Sequence, residues 1–290
     1  MNIKDVTKKY KDNLVLDDLS FAFDDSHIVG LIGKNGVGKT TIMKIMNGNI
    51  ANYEGTVDIE NHNHVGYLIE HPKLYQKMTG MNNLKVFSKI LGSGFDKEYA
   101  NHIIESFGMQ DYIYKKVKKY SLGMKQKLAI AVSMISKPQY LILDEPTNGM
   151  DPDGSIDVLN TIKEITKQYQ VKVLISSHKL EDIELICDRA LFLKNGKFVQ
   201  DVDMNQPTSQ DLILLTFTDE DFEKAKNYID AQYQIIDINK NSIAIKKLKT
   251  LRRLFKGLSE QHVYPDLIEN KTTSLRDTYF NINHKEEVDS

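Results

Sequence analysis

The sequence predicts an α/β fold in which helices cover both faces of a parallel sheet, followed by a smaller α+β module. Two apolar stretches, YLIL (140–143) and VKVLIS (171–176), flank a helical segment at 153–169. Unbroken apolar strands that alternate with helices are typical of a parallel sheet buried on both faces. After residue 205, short strands and helices follow in the order βαββαβ, which indicates a split-βαβ, ferredoxin-like module.

The N-terminal part of the chain reads as strands that lead into a helix. FAF (21–23) and HIVGLIG (27–33) are short apolar stretches separated by the acidic turn DDS. From Thr40 onward, apolar residues recur at helical spacing, so a helix is expected to begin there.

Helices are also predicted in the middle of the chain. Residues 81–118 contain NNLKVFSKIL and KEYANHIIESFG, with a break at Gly92 and Gly94. Residues 124–136 carry apolar side chains at positions i, i+3, i+4 and i+7, namely Leu128, Ala131, Val132 and Ile135. This spacing predicts an amphipathic helix.

The C-terminal module is predicted from its own strand and helix patterns. DLILLTFT is a predicted strand and FEKAKNYI a helix, and YQIIDI and SIAIKK form a hairpin across NKN. LRRLFKGL is a further helix and DLIEN a last strand. We therefore divide the chain into a domain at residues 1–205, with a helical subdomain at about 71–136, and an accessory domain at residues 206–290.

Composition restricts the class of protein. Apolar residues make up 41% and charged residues 27% of the 290 residues, which is ordinary for a soluble globular chain. The net charge of −2 offers no field that would favour nucleic acid or an anionic membrane. Cys187 is the only cysteine, which excludes an internal disulfide framework. The opening MNIKDVTKKY lacks the apolar core of a signal peptide, so a cytoplasmic setting is expected.

A glycine-rich stretch, GKNGVGKTT at residues 33–41, fits the pattern G-x-x-x-x-G-K-[ST] between a strand and a helix. Glycines let backbone N–H groups converge on phosphate oxygens, and the helix N-terminus adds partial positive charge. Lys39 is expected to reach the β- and γ-phosphates, and the Thr40 hydroxyl to bind Mg²⁺. The stretch predicts nucleoside triphosphate binding by Gly33, Asn35, Gly36, Gly38, Lys39, Thr40 and Thr41.

A second acidic element follows the strand LILDEP. Asp144 ends this strand and Glu145 comes next. A carboxylate at a strand end can hold Mg²⁺ directly or through water. The adjacent Glu145 is placed to polarise the attacking water as a general base.

In these motifs and their order, residues 1–205 resemble the nucleotide-binding subunit of an ATP-binding-cassette (ABC) transporter. The resemblance implies a P-loop NTPase cassette with a parallel-sheet core, an antiparallel β subdomain and a helical subdomain, acting on ATP with Mg²⁺. It further implies that Tyr10 stacks on adenine and that His178 in ISSH contacts the γ-phosphate. NGMD, which ends at Asp151, matches the loop through which paired subunits communicate.

The signature motif of the family departs from its commonest form. The family usually has LSGGQ, whereas this chain has YSLGMKQ at residues 120–126. Ser121 and Gly123 are kept, so the following helix can still offer a hydroxyl and backbone N–H groups to a γ-phosphate. In the family that phosphate belongs to ATP on the opposite subunit, which implies a dimer. Leu122 replaces a glycine and is expected to stiffen the turn.

Glu70, in GYLIEHPKLY, is the other departure. It falls where the family normally has a glutamine that senses Mg²⁺ and the γ-phosphate, in the loop joining the core to the helical subdomain. A carboxylate is a better Mg²⁺ ligand than an amide, but it repels phosphates when the metal is absent. We interpret Glu70 as a residue of the nucleotide and metal site; the alternative is a solvated glutamate that ends a strand.

The two departures together resemble the branch that exports bacitracin-type and lantibiotic-type peptides. This resemblance implies an ATP-hydrolysing motor that pairs with a separately encoded transmembrane permease and with a second cassette, identical or paralogous. The motor would be peripheral on the inner face of the cell membrane, and the cargo would be antimicrobial or cytolytic amphipathic peptides of the phenol-soluble modulin, bacitracin or lantibiotic type.

Two other functions remain open. A soluble cassette ATPase acting on the ribosome or nucleic acid usually carries two cassettes or a coiled-coil insertion, whereas this chain has one phosphate loop, so no nucleic acid partner is expected. A non-hydrolysing regulator should lack Glu145 or His178, and both are present.

Overall fold

The computed structural model describes residues 1–59, 65–69, 73–204, 212–246, 248, 250–271 and 275–284. The chain divides into two compact units, Met1–Met204 and Asn205–Ser290. Each unit has a hydrophobic core of its own.

Two sheets form the framework of the first unit. Their strands are β1 (Asn2–Tyr10), β2 (Asn13–Ala22), β3 (Ile28–Ile32), β4 (Glu54–Asp58), β5 (Val65–Leu68), β6 (Tyr140–Asp144), β7 (Lys172–Ser176), β8 (Arg189–Lys194) and β9 (Lys197–Asp203). The larger sheet has the order β5-β6-β7-β3-β8-β9 and is parallel except for the pairing of β8 with β9. The smaller sheet, β2-β1-β4, is antiparallel. The predicted α/β class with a parallel core and an antiparallel β subdomain is confirmed.

The helices of the first unit alternate with the strands of the parallel sheet. They are α1 (Lys39–Met46), α2 (Gly80–Ile90), α3 (Lys97–Ser106), α4 (Leu122–Met134), α5 (Pro152–Tyr169) and α6 (Leu180–Ile186). Helices α2, α3 and α4 all lie between β5 and β6 in the chain, where the sequence predicted helices. In four helices the N-cap side chain accepts a hydrogen bond from the backbone N–H three residues later, and these caps are Thr79, Asp96, Ser121 and Asp151.

The strand order of the parallel sheet determines where a ligand can bind. Strand β7 lies between β6 and β3, so Ser176 pairs with Asp144 on one side and with Leu31 on the other. The carboxyl ends of these three strands therefore meet at one edge of the sheet. In open α/β sheets this edge is where ligands bind.

The core of the first unit lies between the two sheets and α1. Ile3, Leu19 and Leu31 are each 1% exposed and belong to one buried cluster with Ile42 and Met43 of α1. The glycine-rich loop thus joins a buried strand, β3, to a largely buried helix, α1.

The second unit has the predicted order βαββαβ. Its elements are β10 (Leu212–Thr216), α7 (Asp219–Gln232), β11 (Ile235–Asn239), β12 (Ser242–Lys246), α8 (Arg252–Glu260), β13 (Leu267–Lys271) and α9 (Leu275–His284). The strands pair in the order β11-β12-β10-β13, and all of these pairings are antiparallel. This arrangement matches the predicted ferredoxin-like module. Helix α9, which follows the last strand, was not predicted.

Helix α4 differs from its predicted amphipathic character. Besides the predicted stripe, Ala129, Ile130 and Met134 are buried, so the helix is enclosed on more than one face. A helix that is apolar on most sides is expected in a protein interior. No helix among the described residues is both long and apolar enough to cross a lipid bilayer.

Candidate nucleotide-binding site

A cavity of about 520 Å³ opens at the carboxyl edge of the parallel sheet. The loop after β3 and the start of α1 form one wall, consisting of Asn35, Gly36, Gly38, Lys39, Thr40 and Thr41. The opposite wall comes from the start of α4 and the segment after β6, and it consists of Leu122, Gln126, Asp144, Glu145, Asn148 and Gly149. The volume lies within the range of about 300–1,000 Å³ that is usual for small-molecule sites.

Position 38, in the loop after β3, requires glycine for two separate reasons. Its φ angle of +114° lies in a region that residues with a Cβ avoid. A Cβ placed there would also lie 2.6 Å from Leu16 Cδ2. Gly38 is the N-cap of α1 and makes no side-chain cap, so the helix N-terminus, with backbone N–H groups that lack helical partners, lies at the cavity wall.

Lys39 is buried beneath the loop, with only 6% of its surface exposed. Its Nζ donates hydrogen bonds to the carbonyl oxygens of Gly33 at 2.7 Å and Lys34 at 3.2 Å. Burial lowers the pKa of the Lys39 ammonium below its ordinary value of 10.5, and the Glu145 and Asp144 carboxylates oppose that shift. The fold therefore holds a cation whose charge is only partly compensated, which is suited to an anionic ligand.

The lowered pKa of Lys39 predicts a dependence of stability on pH. Below the folded-state pKa, the buried charge reduces the free energy of unfolding. This loss disappears as the pH rises toward 10.5, where the unfolded chain also releases the proton. We expect Lys39→Met to stabilise the nucleotide-free chain at pH 7, and its advantage to shrink toward pH 10. Urea unfolding at both pH values measures the difference.

The matched control for this prediction is Lys34→Met, because Lys34 lies in the same loop with its side chain exposed. Any change that Lys34→Met causes in the free energy of unfolding should be the same at pH 7 and at pH 10. An advantage of Lys39→Met that stays constant from pH 7 to pH 10 would contradict the electrostatic origin of the effect.

Thr40 and Asp144 lie side by side at the sheet edge. The Thr40 hydroxyl donates to Asp144 Oδ2 at 2.7 Å, and the Ser176 hydroxyl donates to Asp144 Oδ1 at 2.6 Å. Asp144 is 8% exposed, so both of its oxygens are fixed in a nearly buried setting. The structure thus brings together the hydroxyl and the carboxylate that the sequence predicted as metal ligands.

Glu145 has a left-handed backbone conformation, with φ of +49°. For a residue with a side chain this conformation costs about 1–2 kcal/mol, so the surroundings must hold it. Ser176 does so, because its hydroxyl and its carbonyl oxygen both accept from the Glu145 N–H, at 3.0 and 3.2 Å. Strained backbone held in this way is concentrated at functional sites.

The Glu145 and His178 side chains meet at the cavity rim. Glu145 Oε2 lies 3.1 Å from His178 Nδ1. The two side chains are 24% and 49% exposed, so both can reach solvent. An ionised carboxylate only accepts hydrogen bonds, so the His178 Nδ1 must carry the proton in this contact.

The YSLGMKQ motif forms the start of α4. Ser121 caps the helix, accepting from the Met124 N–H at 3.2 Å, which leaves its hydroxyl proton available to donate. Leu122 lines the cavity and packs against Gly149, where a Cβ would lie 2.6 Å from Leu122 Cδ2. Gln126, one turn further, is buried and lines the same cavity.

Several predicted site residues lie away from the cavity wall. Tyr10 ends β1, is 47% exposed and stacks under the Lys8 ammonium at 4.7 Å. Asp151 caps α5 by accepting from the Gly154 N–H at 3.2 Å. Glu70 lies outside the described residues. Ser121, Gly123 and His178 adjoin the cavity without lining it.

Ser176 is a site residue that the sequence did not predict, and Gln126 and Asn148, which lie in the predicted YSLGMKQ and NGMD motifs, were not predicted to line the cavity. Ser176 holds both carboxylate residues, and the other two line the cavity. A buried serine at the end of an apolar strand beside the LILDEP strand is the only local signal that could have pointed to Ser176.

Comparison with known proteins identifies the family. The family model described as "ABC transporter" matches residues 16–148, which include the glycine-rich loop and the carboxylates of Asp144 and Glu145. An uncharacterized ABC transporter ATP-binding protein, YhcH of Bacillus subtilis (strain 168), is 37% identical over 69% of this chain and 68% of its own length. The chain belongs to the ABC transporter ATP-binding proteins. This membership confirms the predicted family and the predicted class of enzyme, an ATPase.

Other ABC transporter ATP-binding proteins with similar sequences have named transport roles. The bacitracin transport ATP-binding protein BcrA of Bacillus licheniformis is 32% identical over 80% of this chain and 79% of its own length. The lantibiotic transport ATP-binding protein SrtF of Streptococcus pyogenes is 35% identical over 69% of this chain and 89% of its own length.

Solved ABC cassettes share the fold of the first unit. The structure titled as an ATP-binding subunit of an ABC transporter aligns with a TM-score of 0.61 and 26% identity, covering 70% of this chain and 89% of that one. The dimeric cassette MJ0796 aligns with a TM-score of 0.64 and 19% identity, covering 70% of this chain and 98% of that one.

Proposed function

We propose that this chain is the ATP-hydrolysing motor subunit of a multi-subunit ABC exporter. The main observation behind the proposal is that Lys39 and Thr40 line the same cavity as Asp144 and Glu145, on the opposite wall. One wall supplies the cation and backbone N–H groups for phosphates, and the other supplies carboxylates for a metal and a water molecule.

The residues of the loop would act by holding the phosphates in place. The Lys39 ammonium, now bonded to two carbonyl oxygens, would turn toward the β- and γ-phosphate oxygens. Backbone N–H groups at the start of α1 would donate to the same phosphates. Phosphoryl transfer needs mainly such positioning and charge stabilisation from the protein. Tyr10 would stack on the adenine ring.

The Thr40 and Asp144 oxygens fit Mg²⁺. Magnesium prefers oxygen ligands and is usually bound by one or two carboxylates together with substrate phosphates. The Thr40 hydroxyl and the Asp144 carboxylate are 2.7 Å apart, so one ion could bind both directly or through water. When bound, Mg²⁺ would neutralise charge on the β- and γ-phosphates.

Glu145 and His178 would carry the hydrolytic step. The Glu145 carboxylate would accept a proton from the attacking water as the water oxygen bonds to the γ-phosphorus, and the bond between the γ-phosphorus and the bridging oxygen would break to release ADP. Because His178 Nδ1 donates to Glu145, the ring can also donate from Nε2 to a phosphate oxygen only as an imidazolium. Contact of His178 with the γ-phosphate therefore requires either this charged form or release of Glu145.

The start of α4 supports a dimer in which each cassette completes the site of the other. Ser121 has a hydroxyl proton to donate, and neither Ser121 nor Gly123 lines the cavity of its own chain. Both would instead contact ATP held by a second cassette, identical or paralogous. Asp151 would lie in the loop that connects the two sites.

A permease partner would dock beside the helical subdomain. A second cavity of about 440 Å³ lies between β5, α2 and α4, and it is lined by apolar side chains such as Leu74 and Phe87. Exposed Tyr75 and Ile90 add apolar surface to the same subdomain. We infer that a separately encoded transmembrane subunit binds here and keeps this chain peripheral on the inner membrane face.

The cargo class follows from the relatives named for bacitracin and lantibiotic transport. We propose export of antimicrobial or cytolytic amphipathic peptides of the bacitracin, lantibiotic or phenol-soluble modulin type. The same relatives disfavour a soluble ATPase that acts on the ribosome or nucleic acid. The second unit, without a chemical motif of its own, would serve dimerisation or regulation.

The test is a pull-down of tagged Glu145→Gln protein with ATP and Mg²⁺ from detergent-extracted membranes of the native host. Recovery of one stoichiometric integral membrane protein would support the exporter motor. Recovery of ribosomes or nucleic acid without a membrane protein would overturn the exporter and leave the ATPase intact.

Glu70→Gln should change the Mg²⁺ dependence of hydrolysis. An amide is a weaker Mg²⁺ ligand than a carboxylate, so half-maximal activity should need roughly 10-fold more Mg²⁺. The measurement is ATPase rate against free Mg²⁺. Glu98→Gln is the control, because Glu98 is exposed at the start of α3. An unchanged Mg²⁺ dependence in Glu70→Gln would assign Glu70 to the solvated surface.

A further inference from the structure

Asp182 is a buried carboxylate that has no part in the proposed binding or hydrolysis of ATP. It lies in the first turn of α6 and is 7% exposed. One of its oxygens, Oδ2, accepts two hydrogen bonds, from Thr147 Oγ1 at 2.7 Å and from Ser177 Oγ at 2.9 Å. Both hydroxyl residues are themselves only 3% exposed. A buried carboxylate is tolerated only when it is paired or hydrogen-bonded in this way.

The two hydroxyls belong to the two segments that carry the hydrolytic pair. Thr147 follows Glu145 by two residues, in a turn where the Asn148 N–H donates to the Glu145 carbonyl at 3.1 Å. Ser177 directly precedes His178, and its hydroxyl also accepts from the Lys179 N–H at 3.0 Å. A single carboxylate oxygen thus joins the segment after β6 to the segment after β7.

The Glu145 and His178 side chains are both partly exposed at the ends of the segments that carry them. His178 is 49% and Glu145 24% exposed, and their 3.1 Å contact depends on the relative position of the two segments. Ser176 holds the backbone at Glu145, but the hydrogen bonds of its hydroxyl go to Glu145 and Asp144 and not to Thr147 or Ser177. A displacement of about 1 Å between groups that act together can reduce a rate about 100-fold.

We propose that Asp182 is a positioning residue that sets the distance between Glu145 and His178. The inference rests on the proposed ATPase function of the cavity. Asp182 acts through Thr147 and Ser177 and does not itself line the cavity. Its loss should therefore reduce turnover while leaving ATP bound as before, because Lys39 and the glycine-rich loop do not depend on it.

The test measures kcat, KM and ATP dissociation constants for Thr147→Val, Ser177→Ala and Asp182→Ala in the full chain. We expect kcat to fall about 10-fold in each hydroxyl variant and about 100-fold in Asp182→Ala, with ATP affinity within about threefold of wild type. Thr147→Ser keeps the hydroxyl and should restore turnover. The double variant Thr147→Val/Ser177→Ala should be non-additive, since both hydroxyls act through one oxygen.

Thr166→Val is the matched control. The Thr166 hydroxyl is also buried, at 1% exposure, and donates to the Ile162 carbonyl at 2.7 Å, but it lies in the body of α5. This variant should keep the wild-type kcat. An equal loss of kcat in Thr166→Val, a parallel loss of ATP affinity, or normal turnover in Asp182→Ala would overturn the positioning role. Wild-type protein that binds ATP without hydrolysing it would instead overturn the proposed function.

Discussion

Lys39→Ala should lose ATP binding almost completely, with the dissociation constant rising on the order of 100-fold or more. The ammonium is the one cation that the glycine-rich loop encloses, at 6% exposure between the Gly33 and Lys34 carbonyls. Its removal leaves the phosphates facing the Asp144 and Glu145 carboxylates without compensation. Titration with a fluorescent ATP analogue measures the dissociation constant directly.

The control is Lys197→Ala, which removes an exposed lysine that pairs with Asp17 at 3.0 Å. Because surface ion pairs contribute little, this variant should bind ATP as the wild type does. Ordinary ATP affinity in Lys39→Ala would show that the phosphates bind elsewhere. The glycine-rich loop would then be a structural turn.

Glu145→Gln should abolish turnover while it keeps ATP bound. The amide cannot accept a proton from water, and general-base assistance typically contributes about 10²–10⁴-fold to a rate. The amide is nearly isosteric with the carboxylate, so the left-handed backbone and its bonds to Ser176 should survive. ATP that cannot be cleaved should hold two cassettes together, which size-exclusion chromatography with light scattering would detect as an ATP-dependent dimer.

Glu181→Gln provides the matched comparison, since Glu181 is an exposed glutamate in the first turn of α6. It should hydrolyse ATP at the wild-type rate and form no persistent dimer. Normal turnover in Glu145→Gln would remove Glu145 as the general base. A slow variant that stays monomeric with ATP would keep the base and contradict the shared site at Ser121.

The sequence sufficed where the signal is local. The glycine-rich loop lies between β3 and α1 as predicted, because the patterns that indicate the strand, the turn and the helix each lie in a short run of consecutive residues. Asp144 and Glu145 follow a buried strand for the same reason. The βαββαβ part of the second unit was also predictable, since its hairpin across NKN and the helices α7 and α8 have short, regular patterns.

What the sequence did not reveal depends on strand order and burial. Ser176 reaches Asp144 and Glu145 because β7 lies beside β6, and the sequence of neither strand indicates which strand pairs with it. The left-handed backbone at Glu145 was equally invisible, since glutamate gives no local preference for it. Helix α4 was taken as amphipathic because its stripe is regular, whereas the residues packed around it bury its other faces too.

The contact between Leu122 and Gly149 links two positions that should vary together among relatives. Gly149 has φ of +76° and no space for a Cβ, because Leu122 Cδ2 occupies that space. A relative with glycine at the position of Leu122 has that space empty and should tolerate asparagine or aspartate at the position of Gly149, because these are the residues with a side chain that most readily adopt a left-handed backbone. Covariation of these two positions in an alignment would therefore show that the start of α4 and the loop after Glu145 have evolved together.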